Sequence, residues 1–243
     1  MSKDTLYAPD SVETGRFEFN SDVAQVFPDM LKRSIPGYAA SIQAIGSLAA
    51  NLVQPNTRCY DLGCSLGAAT LAMRRNIQSE GCRIIAVDNA PAMINRCRET
   101  LAADQDPGRT EVSVLEANIQ DVDITRASMV VMNYTLQFLP LEERPALIRK
   151  IAEGMNPGGV LVLSEKVVDE DPVIEETLQK LHHEFKRRNA YSDLEISRKR
   201  AALENVLVPE TVRTHKNRLE EAGFSHVGVW LRYFNFISMI AVR

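Results

Sequence analysis

Cysteine is scarce, tryptophan occurs once, and long apolar runs are missing from this 243-residue chain. The four cysteines, Cys59, Cys64, Cys82 and Cys97, form no CxxC pair. That spacing excludes a CxxC-type zinc site and a dense disulfide framework. Three of them lie on or beside apolar stretches, where a thiol packs as a small hydrophobe, and a reducing cytoplasm is the expected setting. No apolar run is long enough to span a bilayer, and the opening MSKDTLYAPD reads as too polar for a secretory leader. An excess of positive charge is also lacking. Against 32 Asp and Glu stand 28 Lys and Arg, a net charge of -4. A broad nucleic-acid surface would need many basic contacts to phosphate, so the balance argues against one. There is no internal repeat, no low-complexity tract, no Ser/His/Asp set that the sequence can place together, and no cluster at metal-ligand spacing. His182 and His183 are adjacent, so on a helix they point about 100° apart and are not an i, i+4 ligand pair.

What is present is a regular alternation of apolar strands and amphipathic helices, with 45% hydrophobic and 25% charged residues. One stretch organises it. TRCYDLGCSLGAAT, Thr57 to Thr70, begins with strand formers and ends in small residues. Asp61, Gly63 and Gly67 sit where a strand turns sharply into a helix. Gly63 can take backbone angles closed to other residues and leaves room for a ligand against the main chain. Gly67 with Ala68 and Ala69 predicts a tightly packed first helical turn, whose free N–H groups face the loop. A glycine turn alone also fits a turn without a ligand. RIIAVDN adds Asp88 at the tip of a second strand, followed by Asn89 and Pro91 at a helix start. An acid in that place accepts hydrogen bonds from ribose hydroxyls. Together the two features predict a site for an adenosine-containing ligand.

Along the chain, residues 1–20 read as an arm. SDVAQVFPDMLKRS predicts a helix interrupted at Pro28, and IPGY a turn that leaves Tyr38 at a bend. A helix follows over about 39–53. Beyond the second strand come a helix over 90–104, a third strand ending near Asn118, a fourth ending near Asn133 and a helix over 141–155. NPGG breaks that helix, and GVLVLSEKV supplies a fifth strand. The region 168–209 departs from the alternation as a charged helical insertion, with Ser192 as an N-cap candidate. A helix ending at Gly223 and two closely spaced strands, HVGVWLRYFNF and ISMIAVR, complete the chain. Their closeness predicts a hairpin and an antiparallel edge strand. The expectation is one α/β domain over 1–243: a doubly wound, seven-stranded, mostly parallel sheet with an antiparallel last strand. By pattern this is the architecture of class I S-adenosylmethionine-dependent methyltransferases, with N-terminal helices over 1–56 in addition.

The strand ends place Gly63, Asp88, Asn118 and Asn133 on one rim. Asn118 could read an adenine edge, since an amide both donates and accepts, and Asn133 could hold the amino-acid end of the cofactor or the reacting group. Either could instead be a turn residue bonding its own backbone. The basic clusters Lys186 to Arg188 and Arg198 to Arg200 flank the carboxyl edge of the sheet. A solvated helix face accounts for most of the six, but an arginine there could bind a carboxylate in bidentate fashion. An anionic small substrate follows.

The blocks QVFPDMLKRSIPGY, YDLGCSLGAATLAMRRNI, ASMVVMNYTLQFL, LVLSEK and HHEFKRRNAYSDLEISRKRAALENV resemble those of the bacterial carboxy-S-adenosylmethionine synthases, over nearly the whole chain. The first and last are far more specific than a methyltransferase glycine loop. The resemblance implies a homodimer that converts S-adenosylmethionine and prephenate into carboxy-S-adenosylmethionine and phenylpyruvate. It implies no metal, no membrane and no direct nucleic-acid contact, and a product handed to a separate enzyme that modifies the tRNA wobble uridine. Binding positions that carry over are Tyr38, Gly63, Cys64, Ser65, Asp88, Asn89, Asn118, Ile119, Asn133 and Arg200, with Tyr38 and Arg200 in the reaction itself. Asn118 stands where the family is expected to have aspartate. Short of the resemblance, an ordinary methyltransferase acting on an acidic small molecule, or a non-catalytic module binding a cofactor derivative, fits the same residues.

Overall fold

The computed structural model describes residues 2–8, 16–105, 108 and 110–243. Helix α1 (Ser21–Ser34) is capped by Asn20, whose side chain accepts from the amides of Asp22 and Val23. It runs through Pro28 without the predicted interruption. A proline removes one intrahelical bond, but Val23, Ala24, Val26, Phe27 and Met30 are all buried on this helix. That burial outweighs the lost bond. Helix α2 (Tyr38–Leu52) begins at Tyr38, behind a left-handed Gly37.

Strand β1 (Arg58–Leu62), helix α3 (Ala68–Asn76), strand β2 (Arg83–Asp88), helix α4 (Pro91–Ala102), strand β3 (Glu111–Glu116) and strand β4 (Ala127–Asn133) then alternate as predicted. After β4 the chain turns through one 3-10 turn (Leu136–Phe138) into helix α5 (Arg144–Gly154) and strand β5 (Met155–Val168). NPGG ends the helix, yet it lies within β5 and not ahead of it. The register slips there, with Ala127 opposite Met155 and Met129 opposite Val160, and Gly158 takes φ +74. A β-bulge absorbs these residues.

The insertion folds as helix α6 (Pro172–Arg188) and helix α7 (Asp193–Leu203). Ser192 caps α7 in a full capping box with Glu195. A two-residue strand β6 (Glu210–Thr211), helix α8 (Val212–Glu221), strand β7 (His226–Tyr233) and strand β8 (Phe236–Val242) follow. The sheet order is β3-β2-β1-β4-β5-β8-β7, with β6 paired to the end of β5. The last strand is antiparallel to both neighbours. It is not an edge: β8 fills the slot between β5 and β7, and β7 takes the edge. The short β6 is an eighth strand that the pattern did not announce.

Successive residues of β4 face opposite sides, so the helices sort by parity. Met129 and Val131 pack with Ile45 and Ala49 of α2 and Met73 of α3. Val130 and Met132 pack with Leu147, Ile148 and Ile151 of α5 and Leu219 of α8. A third cluster joins Phe17, α1, Met93 of α4 and Ala202 of α7 above the carboxyl ends of the strands. No helix among the described residues is long and apolar enough to cross a membrane.

Candidate functional site

Beneath that third cluster, at the carboxyl ends of β1, β2, β4 and β5, lies a cavity of about 570 Å³. This is the size of an ordinary small-ligand site. Tyr38, Gly63, Cys64, Ser65, Asp88, Asn89, Ile119 and Asn133 all line it. Asn118 and Arg200 do not.

The glycine turn is built by packing. Gly63 has φ +82, and a Cβ there would sit 2.3 Å from Thr135 Oγ1. Its hydrogen faces the loop after β4, so the close approach expected of a ligand is made by Thr135. Gly67, also at φ +82, caps α3, and a Cβ there would meet Cys97 Sγ at 2.8 Å. Between them Ser65 holds φ +49, a left-handed conformation rare outside glycine. It is tied down from its amide, which donates to Asp88 Oδ2 at 2.9 Å. Asp88 Oδ1 accepts from the Ala90 amide at 2.9 Å. Burial pushes the Asp88 carboxyl upward, and the amides of Ala90, Ser65 and Asn89 oppose the push. A carboxylate oxygen has more than one lone pair, so Asp88 can still accept from a ribose.

Asn89 and Asn118 form a relay. Asn89 Nδ2 donates to Asn118 Oδ1 at 3.0 Å, and Asn118 Nδ2 donates to Asp121 Oδ2 at 3.1 Å. The amide of Asn118 is thus engaged beside the cavity, and its neighbour Ile119 supplies the apolar lining. An aspartate at 118 could not donate to Asp121; the amide suits that partner.

At the end of β4, Asn133 has a buried Oδ1 with no hydrogen-bond partner among the described residues. Such an atom is costly unless a ligand donor meets it. Asp61 lies under the same wall, its Oδ2 accepting from Thr70 Oγ1 at 2.5 Å. Burial pushes its carboxyl up to about 6. The loop after β4 is held by Glu165, which accepts from the amides of Leu136 and Gln137, both at 3.0 Å. An aromatic wall closes this side: Tyr38 lies 6.4 Å from Tyr134, Tyr134 5.9 Å from Phe236, and Phe236 4.8 Å from His182. The Tyr38 phenol is pushed up by burial and by Asp61, which keeps it a hydrogen-bond donor. His182 is pushed down to about 2 by burial and then by Lys186. It is a neutral ring, with Nε2 2.8 Å from Ser34 O.

The far end of the cavity is cationic. Lys166 follows Glu165 on β5, Lys186 comes from α6 and Lys199 from α7, and all three line the cavity. Arg200, the next residue on α7, is exposed. The basic clusters therefore do bring cations to the site, but through lysines and not arginines. A helix turns about 100° per residue, so Lys199 and Arg200 cannot face the same way. Lys166 was not foreseen. Its signal was its place just past the apolar run of β5, on the rim that Asn133 shares.

A methyltransferase domain family matches residues 60–159. The carboxy-S-adenosyl-L-methionine synthase of Salmonella paratyphi C (strain RKS4594) is 56% identical over 241 residues, which is 99% of this chain and 97% of that protein. The chain belongs to the carboxy-S-adenosyl-L-methionine synthase family. It is an enzyme, a transferase whose substrate is S-adenosyl-L-methionine. Solved structures agree on the class I methyltransferase fold. An O-methyltransferase family protein from Burkholderia thailandensis has TM-score 0.63 and 17% identity, covering 95% of this chain and 65% of its own. Human N-acetylserotonin methyltransferase, solved in complex with SAM, has TM-score 0.60 and 15% identity, covering 90% of this chain and 54% of its own. The residues of the cavity fit the nucleoside substrate on two counts: an acid at the tip of β2, and an orphaned acceptor at the tip of β4.

Proposed function

We propose that this enzyme joins S-adenosyl-L-methionine and prephenate to give carboxy-S-adenosyl-L-methionine and phenylpyruvate, as a cytoplasmic homodimer whose product feeds a separate tRNA-modifying enzyme. The observation that carries the reading is 56% identity extending over 99% of the chain, well beyond the cofactor half of the fold. In the balanced reaction the ring carboxyl of prephenate leaves as carbon dioxide. Its ring hydroxyl departs with a proton taken from the methyl group of the sulfonium, as water. The ring becomes aromatic, and a carbon–carbon bond forms between that methyl carbon and carbon dioxide.

No protein base is required, in keeping with a cavity whose histidine, His182, is held neutral and spent on Ser34. The chain's own work is binding, orientation and exclusion of water. Asp88 and Asn89 hold the ribose, Ile119 and Asn118 the adenine side, and the backbone of Gly63, Cys64 and Ser65 the connecting atoms. Asn133 takes the ammonium on its orphaned oxygen, and Tyr38 donates its phenolic proton nearby. Arg200 clamps the new carboxylate, from its own subunit or from the partner. It is exposed on α7, yet its charge reaches Lys166 and Lys186 at the cavity of its own chain. The whole span 1–243 acts as one domain, with 168–209 as the roof of the site.

The test is incubation with S-adenosyl-L-methionine and prephenate, read by mass spectrometry. A nucleoside product heavier by one carbon dioxide is expected, and Arg200→Ala should abolish it while S-adenosylhomocysteine still binds. Formation of S-adenosylhomocysteine only, with some other acceptor, would make this an ordinary methyltransferase.

A further inference from the structure

Lys186 is a cation without an anion among the described residues. No carboxylate there acts on it: besides burial, the charges it feels are Lys199, Lys166 and Arg200, and together these push its ammonium down to about 7. Lys166 is pushed down by burial and by Arg200, with Glu175 opposing. Glu175 accepts from the Asp169 amide at 2.8 Å and from Gln179 Nε2 at 2.6 Å. These neutral donors orient it and leave its charge in place, and it offsets part of the push on Lys166. Lys199 differs from both. It donates to Ser34 Oγ at 3.1 Å and lies 3.7 Å from Asp4 Oδ2, so its charge is already matched.

Like charges gathered in a cavity destabilise the fold unless something negative joins them. All three lysines line the same cavity. Lys186 has no opposing carboxylate among the described residues, and Lys166 feels Glu175 without forming an ion pair with it. We propose that Lys186 and Lys166 form a carboxylate subsite for the second substrate, and that they hold the carboxylate that substrate keeps. The inference rests on the proposed function for the identity of that substrate. Which carboxylate they hold follows from charge. A carboxyl group that departs as carbon dioxide loses its charge on the way to the transition state. A lysine paired with it would stabilise the ground state more and slow the step. A lysine paired with the retained 2-oxo carboxylate stabilises both states and fixes the orientation. The departing group is then left facing the uncharged wall of Tyr38, Tyr134 and Phe236.

The test uses full-length protein with Lys186→Met, Lys166→Gln and Lys186→Arg. Phenylpyruvate, which keeps only the retained carboxylate, is titrated by calorimetry in the presence of S-adenosylhomocysteine. Lys186→Met should weaken its binding at least tenfold and raise the KM for prephenate by a similar factor. S-adenosylhomocysteine affinity should stay within twofold. The Tm should be unchanged or higher, because a cation facing cations is removed; a merely structural lysine would lower it. Lys186→Arg should recover most of the binding. Phenylpyruvate binding that is absent from the wild type, or equal in the wild type and both neutral variants, overturns the subsite. So does a loss that is accompanied by a lower Tm and not recovered by arginine. If the wild type binds phenylpyruvate and the variants do not, yet prephenate yields no carboxylated product, the subsite stands and the proposed reaction falls.

Discussion

Glycine at 63 is demanded by a neighbour within the chain. The residue carries φ +82, and Thr135 stands where its Cβ would be. Gly63→Ala therefore combines left-handed strain with a clash in a packed site. A loss of about 2–3 kcal/mol is expected, read as a lower midpoint in urea. Adding Thr135→Ala should recover only some of the part due to the clash, because the Cβ of residue 135 still stands 2.9 Å away, and leave the part due to φ. At this scale much was legible from spacing alone. Asp88, Gly63 and Asn133 all reach the cavity, because strand ends and tight turns leave strong local signatures. Ser192 is the cap it was expected to be. The identity of the cation was not legible. On α7 the segment DLEISRKRAAL shows no clear apolar stripe, so no helical phase distinguishes Lys199 from Arg200 in advance. The reach of Thr135 into the glycine turn was equally hidden, since it depends on a loop folded back from a strand far along the chain.

The roof over the cavity depends on one side chain of α1. Arg33 donates from Nε to Asn189 O and from Nη2 to Ala190 O, both at 2.6 Å, and from Nη1 to Asp4 O at 3.0 Å. Its guanidinium also stacks 3.8 Å from the Tyr191 ring, and the Tyr191 hydroxyl donates to Asp4. One arginine thus ties the N-terminal arm, α1 and the α6–α7 connection together. Arg33→Ala should cost about 2–3 kcal/mol, since three charge-assisted bonds, the one to Asp4 O fully buried, are lost together with the stacking on Tyr191. Hydrogen exchange should rise first in α6 and α7 and leave β1, β4 and β5 protected. Uniform loss of protection across the sheet would show that the roof is not a separate unit. The helical character of this region could be read from the sequence. Its attachment could not, because Arg33 reads as an ordinary basic residue in the last turn of a helix. Pro28 misled for the opposite reason: a strong local rule gave way to the burial of the apolar face around it.

Across the molecule, the cluster of lysines sets a dependence on pH. Lys186 is pushed from 10.5 to about 7 and Lys199 to about 8. Between about 7 and 10.5 the unfolded chain keeps a proton on residue 186 that the folded chain has released. Stability contributed by this group therefore rises with pH through that window, and the burden is greatest below it. Asp61, pushed up to about 6, and Glu165, pushed up to about 8, act in the other direction. The folded chain keeps their protons longer, so their contribution falls as pH rises. The comparison that isolates the lysine is Lys186→Met against wild type, both without ligand. The variant should melt higher than wild type at about pH 6.5, and the gap should narrow by about pH 9. A gap independent of pH would mean that residue 186 binds its proton as tightly in the folded chain as in the unfolded one and stays charged across that range.

The roof contacts join positions far apart in the chain: Ser34 with His182, Arg33 with Asn189, Asp4 with Tyr191. Closing such long stretches is slow compared with pairing neighbouring strands. Loop closure alone thus favours a framework that forms before the part of the molecule that recognises a substrate. In a refolding experiment, protection of the central strands is expected to precede the recovery of ligand binding; simultaneous recovery of both would refute that order.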